Sequence, residues 1–235
     1  MTAVSVSLVV GAGGGIGREV AAQLAALGHC LALSGRTAAK LEDAALGCAE
    51  SPGLLLHPAV ISDEASSTAL IDAVIGRWGR IDHLVHCAAT APLLPIERTT
   101  GDVLRETFES NVFGAANLLS RVWPHFKTQQ TGRVVLVSKA KALDPLPGFM
   151  AYAAAKCAVE SLTRSAAKEG ARIGVKAFTV VPGATETALL RSNFSERVVP
   201  AAKTMAPAVV AQTIVACIRG DHDAQNGQCI HLTQP

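Results

Sequence analysis

Charged residues are scarce in this 235-residue chain, and their signs are balanced. Asp, Glu, Lys and Arg make up 17% of the sequence, with 21 basic residues against 19 acidic ones and a net charge of +2. A chain that binds nucleic acid or an anionic membrane through its charge carries a clear basic excess. The composition therefore gives no electrostatic reason to expect either partner.

Long hydrophobic runs and paired cysteine motifs are also missing. No apolar stretch approaches the roughly 18 residues that span a bilayer. The apolar run at the N-terminus leads into a glycine-rich loop and not into a cleavage site. The six cysteines show no Cys-x-x-Cys spacing and mostly sit inside apolar stretches. We therefore expect reduced, buried thiols in a cytoplasmic protein.

The chain does contain a regular alternation of short apolar strands with helices. Strands are predicted at residues 5–10, 29–34, 54–57, 81–87, 133–137, 174–181 and 228–232. Helices are predicted at residues 18–27, 38–48, 63–78, 102–123, 150–169 and 207–218. Strands that alternate with helices form a parallel sheet covered on both faces. With no linker or repeat, the sequence predicts one doubly wound α/β domain, a Rossmann fold, over residues 1–235.

A glycine-rich loop joins the first strand to the first helix. Its candidate cofactor-binding residues are Gly11, Gly13, Gly14, Gly15, Ile16 and Gly17. Glycines in such a turn let the backbone approach a pyrophosphate, whose charge is favoured by the free N–H groups at the helix start. The position of this loop between strand and helix predicts a dinucleotide site.

Arg36 follows the second predicted strand, where dinucleotide folds place the residue that reads the adenosine ribose. An Asp or Glu there binds the ribose hydroxyl, whereas an Arg accommodates a 2′-phosphate. This chain has no acid at that position, and a guanidinium can donate two parallel hydrogen bonds to phosphate oxygens. NADP(H) is therefore favoured over NAD(H).

The stretch from the fifth strand into the next helix carries a candidate proton-transfer pair. Tyr152 and Lys156 are four residues apart on an Ala-rich helix, so they share one face. An ammonium close to a phenol favours the phenolate and lowers its pKa from the ordinary value of about 10. The spacing indicates an acid/base tyrosine assisted by a lysine.

Further candidate residues follow the ends of other strands. Small residues after the fourth strand leave room for a flat ligand, and hydroxyls and amides after the sixth are placed to bind a cofactor amide or phosphate. These cofactor-binding candidates are Cys87, Ala88, Ala89, Pro182, Gly183, Thr185 and Thr187. Asn111 is predicted inside a helix, where Asn is unfavourable unless its side chain is used elsewhere. The irregular segment 188–207 is a candidate substrate cover.

The chain resembles the short-chain dehydrogenase/reductase family from end to end. The motifs that carry the resemblance are Gly11-x-x-x-Gly15-Ile16-Gly17, Asn111-Val112, Tyr152-x-x-x-Lys156, and Pro182-Gly183 with Thr185 and Thr187. The resemblance implies an NAD(P)(H)-dependent oxidoreductase acting on a small carbonyl or alcohol, usually as a homodimer or homotetramer. It also implies roles: Tyr152 is the acid/base, Lys156 binds the nicotinamide ribose and lowers the pKa of the tyrosine, and Asn111 holds a water in the proton relay.

The sequence departs from the family pattern at several positions. Where the family has Asn-Asn-Ala-Gly after the fourth strand, this chain has His86-Cys87-Ala88-Ala89. Val60 occupies the position of an Asp that contacts the adenine in the family, and Val10 occupies the position of a Thr before the first glycine. The catalytic serine of the family lies 13 positions before the tyrosine. That position, 139, is a lysine here, and Ser138 is one residue earlier.

Three interpretations of this last departure remain open. Ser138 could fill the role of the missing serine, although a slip of one residue turns a strand side chain to the opposite face. Lys139 could polarise the substrate carbonyl itself, since an ammonium is a donor with three protons. The alternative to an enzyme is a catalytically impaired dinucleotide-binding protein of the same fold, a sensor or scaffold.

Overall fold

Seven parallel strands form the centre of the protein in the computed structural model, which describes residues 4–232. The strands are β1 (Val6–Val10), β2 (Cys30–Gly35), β3 (Leu54–Pro58), β4 (His83–His86), β5 (Gly132–Val137), β6 (Val175–Val181) and β7 (Cys229–His231). Their order across the sheet is β3-β2-β1-β4-β5-β6-β7, and each neighbouring pair is parallel. The predicted doubly wound parallel sheet is confirmed.

Helices cover both faces of the sheet. They are α1 (Gly15–Ala26), α2 (Ala38–Ala45), α3 (Glu64–Trp78), α4 (Gly101–Phe108), α5 (Gly114–Gln129), α6 (Met150–Gly170), α7 (Ala188–Asn193) and α8 (Pro207–Arg219). Helices α1, α2 and α8 pack on one face of the sheet, and α3, α5 and α6 pack on the other. The strands are almost fully apolar because both of their faces are buried in these two layers.

The long helix predicted over residues 102–123 is interrupted. A wider, π-helical turn at Glu109–Phe113 separates α4 from α5, which runs on to Gln129. The side-chain amide of Asn111 donates to the carbonyl oxygen of Thr107 at 2.9 Å, a contact that belongs to this wider turn. Such turns are frequent at functional sites.

The start of α3 lies one residue after the predicted start at position 63. Asp63 is the N-cap residue, and its carboxylate accepts a 2.7 Å hydrogen bond from the Ser66 amide. A carboxylate is a favoured acceptor at a helix start. In the described part of the chain, residues 4–232, no helix is long and apolar enough to cross a membrane.

Candidate active site

A cleft of about 990 Å³ opens at the edge of the sheet where the strands end. The loops after β1, β2, β3 and β4 line it, together with α4 and the start of α7. The predicted cofactor-binding residues among its walls are Gly11, Gly13, Gly14, Gly15, Ile16, Gly17, Arg36, Cys87, Ala88, Ala89 and Thr187. Ligands of open α/β sheets bind at this edge, at the point where the strand order reverses.

The glycine loop is packed so tightly that side chains have no room at two of its positions. Gly11 has φ +81°, and a Cβ there would lie 2.5 Å from the amide nitrogen of Ala88. A Cβ on Gly17 would overlap the carbonyl oxygen of Gly11. The loop therefore requires glycine for its own conformation as well as for a ligand.

Two other glycines keep the walls of the cleft close to the loop backbone. A Cβ on Gly13 would lie 2.7 Å from the Cβ of Lys40, and one on Gly15 would lie 2.9 Å from the methyl group of Thr187. The amide groups of the first turn of α1 have no helical partner, so this narrow, backbone-lined cradle is suited to an anion. The residues present fit a dinucleotide pyrophosphate.

Two basic side chains stand at the part of the cleft formed after β2. Arg36 and Lys40 are both exposed and line the cleft. Neither forms an ion pair with a carboxylate among the described residues. Lys40 was not singled out from the sequence, although a second basic residue four positions after Arg36 was a usable signal.

Tyr152 and Lys156 lie on one face of α6, as their spacing predicted. The Nζ atom of Lys156 is 5.6 Å from the centre of the Tyr152 ring and donates a 2.8 Å hydrogen bond to the carbonyl oxygen of Val137, the last residue of β5. This contact holds the buried ammonium at the carboxyl edge of the sheet.

The pKa values of this pair are set by burial. Burial raises the pKa of Tyr152 to about 12, so the phenol is protonated at neutral pH. Burial lowers the pKa of Lys156 to about 8, and the nearby Cys87 acts in the opposite direction by raising it. The lowering of the tyrosine pKa that was expected from the lysine is not found, because removal from water is the larger effect on the phenol.

Ser138 does not face the tyrosine. Its hydroxyl is buried and donates a 2.7 Å hydrogen bond to the carboxylate of Glu160, one turn further along α6 than Lys156. Lys139 instead extends its Nζ atom to 5.0 Å from the centre of the Phe149 ring and 5.9 Å from that of Tyr152. The structure thus brings Lys139 and Tyr152 together and leaves Ser138 outside their contact.

Asn111 is buried in the π-helical turn, and one end of its amide is used by the protein. The Nδ2 atom donates to the carbonyl oxygens of Thr90 and Thr107, both at 2.9 Å. The Oδ1 atom is buried and has no protein partner. A buried acceptor without a protein partner is a place for an ordered water.

His86 is the last residue of β4 and Cys87 follows it, both close to Lys156. His86 is fully buried, and neither of its ring nitrogens has a protein partner. Burial, followed by the nearby charge of Lys156, lowers the pKa of His86 to about 3. Burial raises the pKa of the Cys87 thiol to about 12. Both groups are therefore neutral at pH 7.

The loop after β6 carries the remaining candidates. Thr187 caps α7 by accepting a 3.2 Å hydrogen bond from the Leu190 amide. Thr185 is buried, and its hydroxyl donates to the carbonyl oxygen of Gly183 at 3.1 Å. The carbonyl oxygen of Pro182 accepts from the Ala140 amide at 2.9 Å. Of these residues, only Thr187 lines the cleft.

Sequence reasoning missed a contact that ties α7 to the loop after β4. The side-chain amide of Asn193 donates a 2.7 Å hydrogen bond to the carbonyl oxygen of Ala91, and both residues line the cleft. No local sequence signal marks such a pair, because the residues are about 100 positions apart and meet only in the folded chain.

The seven-stranded parallel order, the glycine cradle and the Tyr–Lys face define an α/β oxidoreductase of the dinucleotide-binding type. The profile of the family described as "short chain dehydrogenase" matches residues 5–198. The chain belongs to the short-chain dehydrogenase/reductase family.

Relatives and solved structures agree with this assignment. The mouse protein "Dehydrogenase/reductase SDR family member 7" is 31% identical over 196 residues; the match covers 81% of this chain but only 58% of that protein. The Bacillus subtilis "Uncharacterized oxidoreductase YxjF" is 31% identical over 192 residues, covering 81% of this chain and 75% of the relative. The crystal structure of levodione reductase superposes with a TM-score of 0.90 at 25% identity, covering 97% of this chain and 95% of that one.

Proposed function

We propose that this protein reduces a small carbonyl compound with NADP(H), with Tyr152 as the proton donor. The observation that carries the proposal is the state of Tyr152: a half-buried phenol whose pKa is raised to about 12, with the ammonium of Lys156 beside its ring. A protonated phenol can donate to a developing alkoxide, which suits reduction of a carbonyl more directly than oxidation of an alcohol.

Lys156 and Asn111 are proposed to assist Tyr152. Lys156, fixed by Val137, places a positive charge near the phenol and stabilises the phenolate that forms when the proton leaves. The unpartnered Oδ1 of Asn111 supports a role in holding a water that returns a proton to the pair. The π-helical turn at Glu109–Phe113 turns that amide inward.

The glycine cradle, Cys87, Ala88, Ala89 and Thr187 would hold the cofactor, with Pro182, Gly183 and Thr185 behind them. A bound nicotinamide supplies the hydride. Arg36 and Lys40 support NADP(H) over NAD(H), since two unpaired basic side chains suit a 2′-phosphate better than a free ribose hydroxyl.

The segment 188–207 is proposed to cover the substrate, within a single domain spanning the chain. Phe194, directly after α7, lies 6.0 Å from Phe149 between ring centres, and Phe149 lies 5.9 Å from Tyr152. These contacts support a cover whose aromatic side chain stands beside the proton donor.

Self-association as a homodimer or homotetramer stays part of the proposal. The outward faces of α5 and α6 share a shallow groove that includes Leu119, Trp123 and Leu162. Light scattering coupled to size exclusion measures the mass directly. Elution as a monomer at micromolar concentration would contradict this part.

The second candidate function, a dinucleotide-binding protein without turnover, is favoured by one observation: the hydroxyl of Ser138 is engaged by Glu160. A thermal melt and a turnover assay separate the two. NADPH at about 100 times its Kd should add roughly 2.7 kcal/mol of stability, and raise the midpoint by about 5–10 °C.

Loss of NADPH absorbance on a panel of small carbonyls then decides the reaction. Stabilisation with turnover supports the reductase. Stabilisation without turnover on any carbonyl supports the second candidate. No stabilisation by either NADPH or NADH contradicts both.

A further inference from the structure

Two lysine ammonium groups stand against the same tyrosine ring. The Nζ atoms of Lys139 and Lys156 lie 5.9 Å and 5.6 Å from the centre of the Tyr152 ring. Lys156 is held by the Val137 carbonyl oxygen at 2.8 Å, whereas Lys139 has only a long 3.5 Å contact with the carbonyl oxygen of Lys141. The ammonium of Lys139 therefore has the weaker hydrogen bond within the protein and is the more available donor of the two.

No carboxylate balances Lys139. It forms no ion pair in the part of the chain that the structure describes. The ionisable groups that act on its charge are Cys157 on α6 and Lys141 in the following loop, and neither is an acid of the Asp or Glu type. Its Nζ atom also lies over the faces of Phe149 and Tyr152. A half-buried cation beside two aromatic faces, with no carboxylate partner among the described residues, is complementary to an anion from outside the chain.

Resting on the reductase proposed above, we propose that the substrate is a short oxo carboxylic acid, and that Lys139 binds its carboxylate while Tyr152 faces the reacting carbonyl. The serine that would donate a neutral hydrogen bond has no equivalent free hydroxyl, because Ser138 is bound to Glu160. An ammonium in that place adds a full charge, which distinguishes an acid from its uncharged analogue.

The distance between Lys139 and Tyr152 sets the length of the substrate. The Nζ atom of Lys139 lies 5.9 Å from the centre of the Tyr152 ring. This separation suits a carboxylate one or two bonds from the carbonyl carbon, with the carboxylate at Nζ and the carbonyl oxygen at the phenol. A 2-oxo or 3-oxo acid meets this condition, whereas a long-chain oxo acid with a distant carboxylate does not.

Binding tests this without relying on turnover. Protein saturated with NADP⁺, which carries no hydride to transfer, is titrated calorimetrically with 2-oxobutanoate and 3-oxobutanoate and with the methyl ester of each. A charge-assisted hydrogen bond should make at least one acid bind roughly 10- to 100-fold more tightly than its ester. Lys139→Met should bring acid and ester to equal affinity, and Lys139→Arg should keep most of the preference.

Lys168→Met is the matched control: it removes an exposed lysine near the far end of α6 and should leave the preference intact. Equal binding of acid and ester by the unaltered protein, binding of neither acid, or a preference that survives Lys139→Met would each overturn the proposal. A preference that depends on Lys139, in a protein that never consumes NADPH, would instead reject the reductase and leave the anion site standing.

Discussion

The hydroxyl of Ser138 donates a 2.7 Å hydrogen bond to the carboxylate of Glu160, and both side chains are buried. Ser138 and Lys139 are neighbours in the chain, yet their side chains turn in different directions, the first toward Glu160 and the second toward Phe149 and Tyr152. Adjacent residues of an extended segment point to opposite faces. We therefore predict that a serine one position early does not replace the one that is missing.

Ser138→Ala tests this assignment. Loss of the donor to a buried carboxylate should lower the free energy of unfolding by about 1–3 kcal/mol, while kcat on a reducible carbonyl stays within a few fold. Chemical denaturation and steady-state rates measure the two. The control is Ser161→Ala, an exposed position on α6 next to Glu160. A large fall in kcat with unchanged stability would mean that Ser138 is catalytic after all.

Tyr152→Phe removes the proton donor and keeps the aromatic ring against Phe149. Turnover should fall by about 10²–10⁴, the usual contribution of a positioned acid. The rise in melting midpoint with NADPH should persist, since the cofactor cradle is untouched. Unchanged activity in this variant would reject the proposed mechanism.

Arg36→Leu addresses the choice of cofactor. Loss of a charged contact to the 2′-phosphate should weaken NADPH binding by about 10- to 100-fold and leave NADH binding within a few fold. Fluorescence titration of both nucleotides gives the ratio. A parallel weakening of both would show that Arg36 does not discriminate between them.

Gly17→Ala should be severely destabilising, because the added Cβ overlaps the carbonyl oxygen of Gly11 in a loop with no room to shift. A melt without nucleotide measures the effect. Gly76→Ala in α3 is the matched control: no atom lies within 4 Å of the added Cβ, and an Ala in a helix interior should stabilise by roughly 0.5–1 kcal/mol. Equal midpoints for the two variants would contradict the tight packing of the loop.

Two buried histidines make stability depend on pH. Burial, with a contribution from His29, lowers the pKa of His83 to about 3, and burial with Lys156 lowers that of His86 to about 3. The unfolded chain binds these protons near pH 6.5 and the folded chain does not. The stability they contribute is complete above pH 6.5 and is lost as pH falls toward 3.

Denaturant unfolding from pH 7.5 to 4.5 should therefore show a steady decline, with a slope approaching about 1.4 kcal/mol per pH unit for each histidine. His86→Gln should reduce the slope, whereas His231→Gln, at an exposed position, should not. A flat profile over this interval would contradict the burial of the neutral rings.

Most of the fold could be predicted because its signals are local. Apolar strands such as Val6–Val10, and the glycine loop that follows, are recognisable from adjacent residues alone. The parallel direction of the strands follows from their alternation with helices. The break between α4 and α5 could not be predicted from the local pattern. At this turn the Asn111 side chain donates to Thr90, a contact made only after folding.

The candidate site divides in the same way. Spacing predicted the shared face of Tyr152 and Lys156, but the direction of the tyrosine pKa depends on how much water the folded protein excludes. The sequence marked position 139 as unusual, yet only the structure showed that the ammonium reaches the tyrosine while the neighbouring hydroxyl turns to Glu160.

Two tilted ring contacts, from Phe194 to Phe149 and from Phe149 to Tyr152, connect the segment after α7 with the acidity of the proton donor. Separating Phe194 from Phe149 would let water reach the phenol, and rehydration would return the pKa of Tyr152 toward its ordinary value of about 10. The tyrosine would then hold its proton most firmly while Phe194 stays against Phe149 and release it more readily once solvent reaches the phenol.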